Sequence, residues 1–212
     1  MLYLCIRPEL HMAYLSKKTP SSSYFRDKYD RYAPVVWLFA VYLLCEIIVY
    51  PLGEFPLNDD WAYTKALNTF TTRHEINIGT WPAMTLLSQI LWGSVFTEIF
   101  GFSFFALRFS TLVSSFIGLV FLYKTLHQLT GERKLSFLGS TALLFNPLYF
   151  NLSNTFMTDV NFNTLMLIGI YSCFDYFRFQ KNSALIWISV VSILLVLLRQ
   201  YGILLPFCFF VS

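Results

Sequence analysis

Six ionisable side chains sit where charge is costly to keep. Asp59 and Asp60 stand together in LNDDWAY, Asp159 lies in NTFMTDVNF, and Glu46, Arg108 and Arg199 fall within or at the ends of long apolar runs. Such groups at membrane depth are functional candidates by default. Paired carboxylates at a helix start suit a general base or a metal ligand, and Asp159 supplies a second acid that can face the first pair. The guanidinium groups of Arg108 and Arg199 match the phosphate of a lipid-linked substrate, and Glu46 can pair with either of them. Each residue also has a plainer use. One of Asp59 and Asp60 can cap a helix, Asp159 can cap the helix that follows it, and both arginines can snorkel to headgroup phosphates.

The remaining chemical signals are weaker. His74-Glu75 lacks the second histidine of a zinc helix, and His11 and His127 fall on the other side of the expected membrane, so the sequence offers no histidine metal site. No cofactor is named by any motif; the acidic pair leaves room for a divalent cation and for nothing else. Asn151-Leu152-Ser153 has the form of a glycosylation sequon. Trp61, Trp81 and Trp92 lie where a sugar could stack, although the abundant aromatics serve lipid-facing packing and interfacial belts more simply. The four cysteines are scattered without metal or redox spacing and read as small apolar side chains.

What positions these residues follows from composition. Of 212 residues 56% are hydrophobic, 19% aromatic and 13% charged, with mean hydropathy +0.56. A soluble domain carries roughly 25% charged residues, and a globule of this size could not hide so much apolar surface. That excludes a water-soluble enzyme and a disordered chain. A net charge of +3, dispersed along the chain, excludes nucleic acid as a partner and leaves membrane lipids.

A bilayer core of about 30 Å needs about 20 mostly apolar helical residues. Runs of that kind are Pro34–Leu52, with Pro34 in an opening turn, then Phe102–Leu126, Leu135–Phe150, Phe162–Phe179 and Ala184–Leu198; Ile203–Val211 begins a sixth. Pro82–Phe100 is long enough to span but holds Ser88, Gln89, Ser94, Thr97 and Glu98. If it stays outside, 11 of the 15 Lys and Arg lie on one side: six in the tail, Lys124, Arg133 and Lys134 in one loop, Arg178 and Lys181 in another. The positive-inside rule then makes that side cytoplasmic. The segment is expected to lie along the outer surface as an amphipathic helix. A second short helix, Trp61 to about Thr72, presents Tyr63, Ala66, Leu67 and Phe70 on one face. The expectation is an all-α, polytopic transmembrane bundle with two surface helices in a large first outer loop: residues 1–33 a basic cytoplasmic tail, 34–212 the membrane domain.

Five segments, in order, resemble the polytopic C-type glycosyltransferases, and within them the branch of protein O-mannosyltransferases and the bacterial aminoarabinose transferase for lipid A. They are LNDDWAY, GTWPAMTLLSQILWGSVFTEIFG, FALRFSTLVSSFIGLVFLYKTLHQLTGERK, ALLFNPLYFNLSNTFMTDVNF and LLRQYGILLPF, together covering about residues 34–210. The resemblance implies a membrane enzyme that takes a sugar from a polyprenyl-phosphate donor to a lipid, glycan or protein acceptor on the outer side. Asp59 matches the leading acid of the family's first-loop pair, Asp60 its neighbour, where many members carry Glu, and Asp159 the acid of the second outer loop. Arg108 and Arg199 fall where basic residues face the lipid phosphate. The implied place is a bacterial inner (plasma) membrane, or the endoplasmic reticulum in a eukaryote. Family members continue through further spans, so the chain is expected to be a piece of a longer enzyme, poorly stable and inactive alone. The competing class is a non-enzymatic membrane protein: a transporter, lipid flippase or assembly scaffold. A transporter would gather polar and broken helices at the bilayer midplane, whereas these charges gather near the outer ends.

Overall fold

The computed structural model describes residues 23–50, 53–80 and 82–211, with side chains from residue 32 onward. Among them there is no strand. The helices are α1 (Ser23–Val49), α2 (Asp60–Arg73), α3 (Leu87–Phe100), α4 (Phe104–Thr130), α5 (Arg133–Leu144), α6 (Pro147–Ser153), α7 (Thr158–Phe179), α8 (Asn182–Leu198) and α9 (Leu204–Val211), with a 3₁₀ turn at Gln200–Ile203 between the last two. Two stretches, Tyr32–Val49 in α1 and Phe104–Thr130, are long and apolar enough to cross a membrane.

α4 is the central helix and packs against α7, α5 and α3, while α7 also packs on α8. Close approach of α4 and α7 needs a small residue. A Cβ on Gly118 would stand 2.7 Å from the Thr164 hydroxyl and 3.0 Å from the Tyr149 hydroxyl. α4 starts on a double cap: Ser103 accepts from the Ala106 amide at 3.0 Å, and the Glu54 carboxylate accepts from the Phe104 and Phe105 amides at 2.9 and 3.3 Å. A carboxylate there also opposes the positive end of the helix dipole. The helix stops where Gly131, at φ 72°, donates back to the His127 carbonyl. α1 is peripheral, lying against α5 and α4 with most of its apolar surface exposed.

Three sequence expectations are corrected. Leu135–Phe150 is not one helix: the chain breaks at Phe145 and Asn146, because Asn146 caps α6 through its side chain and Pro147 opens it. Proline disfavours helical geometry in the residue before it and cannot donate its nitrogen. Pro34 does not open the first span but lies inside α1. α3 is shorter than Pro82–Phe100, and its polar side is turned toward protein: Gln89, Ser94 and Thr97 are buried while Leu91, Val95 and Ile99 are exposed. The reason is the set of partners waiting for Gln89, described below. The short outer helix matches its expectation. Tyr63, Ala66 and Leu67 are buried in one core with Leu107 and Phe156, and Phe70 packs at its edge.

Candidate functional site

At one end of the bundle the start of α2, the residues before α7 and the end of α8 meet. α2 begins at Asp60, with Asp59 in the N-cap position but making no capping hydrogen bond through its side chain. The cap expected of this pair is absent because Asp60 turns back instead, its Oδ1 accepting from the Leu57 amide at 2.7 Å. Asp59 keeps a half-exposed carboxylate, whereas Asp60 is fully buried, with Oδ2 lacking a partner in hydrogen-bonding geometry. Burial pushes the Asp60 carboxyl upward. The Leu57 amide, the Arg108 charge and the nearby amides of Phe156 and Trp61 offset part of that cost.

Asp159, in the first turn of α7, forms an ion pair with Arg199 at 2.9 Å. The Arg199 guanidinium also donates to the Thr158 hydroxyl, at 2.8 Å from Nε and again from Nη2. Arg199 ends α8 in extended backbone, so the helix stops as its side chain reaches across to α7. Tyr63 of α2 lies beneath these charges. Only 4% exposed, it feels Arg199, Asp59 and Asp159, and burial raises its hydroxyl pKa. The structure thus brings Asp59, Asp60, Asp159 and Arg199 to one place around Tyr63, with both acids of the longer loop facing the second.

The other sequence candidates fall elsewhere. Arg108 is 2% exposed and clamps the chain after α1, donating to the Gly53 carbonyl at 2.7 Å and to the Phe55 carbonyl, with the Phe55 ring 5.0 Å beneath it. It is enclosed rather than presented to a lipid phosphate. Glu46 does not pair with an arginine; it is buried and faces Tyr42 and Asn154. Trp81 lies outside the described residues. Ser153 of the sequon is buried in α6, donating to the Phe150 carbonyl at 2.7 Å, which makes the motif unavailable there.

Residues that the sequence reading passed over hold this end together. Gln89 donates to the Phe156 and Met157 carbonyls at 3.2 and 3.4 Å and accepts from Asn161 at 2.6 Å. Thr85 and Ser88 bond the Val196 and Leu194 carbonyls, and Gln200 bonds the Ala83 carbonyl. A cavity of about 360 Å³ lies directly beneath, walled by Ser88, Gln89, Trp92, Ser114, Asn161 and Thr164 among apolar neighbours. A polar carboxamide inside an otherwise apolar run was the available signal, since such a group needs a buried partner. Among the described residues no three His, Cys, Asp or Glu side chains are grouped to hold a metal ion.

Comparison with known families gives one match. Residues 89–211 match the model of the dolichyl-phosphate-mannose-protein mannosyltransferase family. No curated protein and no solved structure matches the chain. The matched region takes in Arg108, Asp159 and Arg199 and begins after the Asp59–Asp60 pair. It covers more than half of the sequence, and the chain belongs to this family of membrane-integral, C-type glycosyltransferases.

Proposed function

We propose that the protein transfers a sugar from a polyprenyl-phosphate donor to an acceptor hydroxyl at the outer face of the membrane, as a multi-pass enzyme whose site is the cluster around Tyr63. One observation carries this reading: acids from two separate loops and a guanidinium from a third element converge at one end of the bundle, above an apolar cavity with polar walls. Asp59 takes the proton of the acceptor hydroxyl. It is the half-exposed acid of the pair, and no capping bond occupies its oxygens. The acceptor oxygen forms a bond to the anomeric carbon as the bond from that carbon to the phosphate oxygen breaks. The electron pair leaves on polyprenyl phosphate, and the anomeric centre inverts.

Polyprenyl phosphate is already a good leaving group, so the protein needs a base and charge stabilisation more than a nucleophile of its own. Arg199 supplies the second. Thr158 and Asp159 hold Nε and Nη2, and no described residue engages Nη1. Asp60, buried behind Asp59, fixes the turn that presents its neighbour. A divalent cation has no complete set of ligands among the described residues, and no step here is routed through one. The cavity admits the first isoprene units of the donor. Membranes carrying the full-length protein, given a panel of labelled polyprenyl-phosphate sugars, test the proposal: one donor should yield labelled acceptor and free polyprenyl phosphate in equal amounts. Movement of intact donor between leaflets without transfer would favour a flippase instead.

A further inference from the structure

The end of the bundle opposite this site carries a second cavity with a different character. Between α1 and α5 a cleft of about 590 Å³ is walled by Pro34, Trp37, Phe137 and Leu138 and bordered by Arg133 and Lys134. Its walls are apolar and its rim is cationic. Trp37 and Leu138 are largely exposed, so the cleft opens sideways toward whatever surrounds the bundle. Both cations stand in the first turn of α5, and no acidic residue shares that turn. Positive charge is disfavoured at a helix start, so the local balance calls for a neighbouring anion.

We propose that this cleft binds one anionic phospholipid of the cytoplasmic leaflet, its phosphate held by Arg133 and Lys134 and an acyl chain laid along Trp37, Phe137 and Leu138. The charge complementarity selects the occupant. The inner leaflet is the anionic one, and basic pockets between membrane helices on that side suit acidic headgroups. Arginine adds a planar fork fitted to phosphate. The lipid fills the gap left by the loose seating of α1 and ties that helix to α5. This inference uses the inside placement of the 124–134 loop and does not depend on the transferase reading.

The test measures thermal unfolding of the purified full-length protein in neutral detergent as short-chain phosphatidylglycerol, short-chain phosphatidylcholine or inorganic phosphate is added. Phosphatidylglycerol should raise the melting temperature in a saturable way, and the other two should not. One basic side chain near a lipid surface contributes about fivefold to binding, so the Arg133→Gln/Lys134→Gln double variant should bind about thirtyfold more weakly. Lys124→Gln/Lys181→Gln, which removes the same charge elsewhere at that end, should leave the affinity unchanged. A second reading needs no variant: brominated phosphatidylglycerol should quench the fluorescence lost in Trp37→Phe more strongly than brominated phosphatidylcholine at equal mole fraction. Equal response to the two lipids, an equal response to inorganic phosphate, unchanged affinity in the double variant, or a shift that tracks protein concentration and so marks a second copy in the cleft, would each overturn the proposal.

Discussion

At the scale of single residues, the site separates two neighbouring acids that look alike in sequence. Asp59 is half-exposed without a capping bond, and Asp60 is buried with one oxygen tied to the Leu57 amide. The raised pKa of Asp60 has a thermodynamic consequence. An acid whose folded pKa exceeds its unfolded value stabilises the fold while protonated. That stability falls as pH rises from the ordinary carboxylate range near 4 through the folded pKa. Asp60→Asn keeps an oxygen for the Leu57 amide and removes the titration. Melting temperatures of the wild type should therefore decline above about pH 4, and those of Asp60→Asn should be flatter across the same window; parallel curves would show that Asp60 titrates normally. Arg199 is the residue for charge. Arg199→Lys keeps the charge but loses the fork that spans Thr158 and Asp159. On the proposed role it should raise the KM for donor about tenfold or more, with a smaller effect on the acceptor KM, because one charge-assisted hydrogen bond is worth about 1.5–3 kcal/mol. An equal rise in both would point to a merely structural arginine.

At the scale of elements, local signals were legible and partner-dependent ones were not. The helix of Tyr63, Ala66, Leu67 and Phe70 was readable because its apolar period is local, and it runs Asp60–Arg73 as expected within a residue or two. The break at Asn146-Pro147 was written in the sequence as a capping asparagine followed by a proline, but the surrounding apolar run concealed it. The orientation of α3 could not be read, because hydrophobicity alone sends Gln89 and Ser94 outward; the partners that turn them inward lie some 70 residues away. In the same way, Asp60's backward bond to Leu57 competes with the cap that its residue type suggests. Convergence of the two loops was expected only through the family resemblance, and the packing that achieves it depends on Gly93. A Cβ there would stand 2.5 Å from Leu67 Cδ1 and 2.7 Å from Phe156 Cζ, two side chains with no room to move. Gly93→Ala should cost about 1–3 kcal/mol and lower the melting temperature in detergent. An unchanged melting temperature would mean that α3 is not wedged between α2 and the second loop.

At the scale of the molecule, the account places one end of the bundle outside and the other in the cytoplasm, with transfer at the first and lipid anchorage at the second. Glu75→Cys and Glu132→Cys, both exposed and at opposite ends of the account, report this directly when made in a cysteine-free background. An impermeant thiol reagent applied to intact cells should label position 75 and spare position 132; the reverse pattern would invert the topology. The central claim is that the loops meet to form a site of chemistry, with Asp59 as its base. The direct measurement is the rate of sugar transfer in membranes carrying full-length Asp59→Asn, Asp60→Asn or Asp159→Asn at matched protein levels. Asparagine preserves shape and capping but cannot take a proton, and general base catalysis is typically worth about 10²–10⁴-fold. Asp59→Asn should lose transfer by that factor and be the most impaired of the three, with its expression unchanged. Near-wild-type rates in all three variants would show that these acids only shape the ends of helices, and that the active site lies elsewhere.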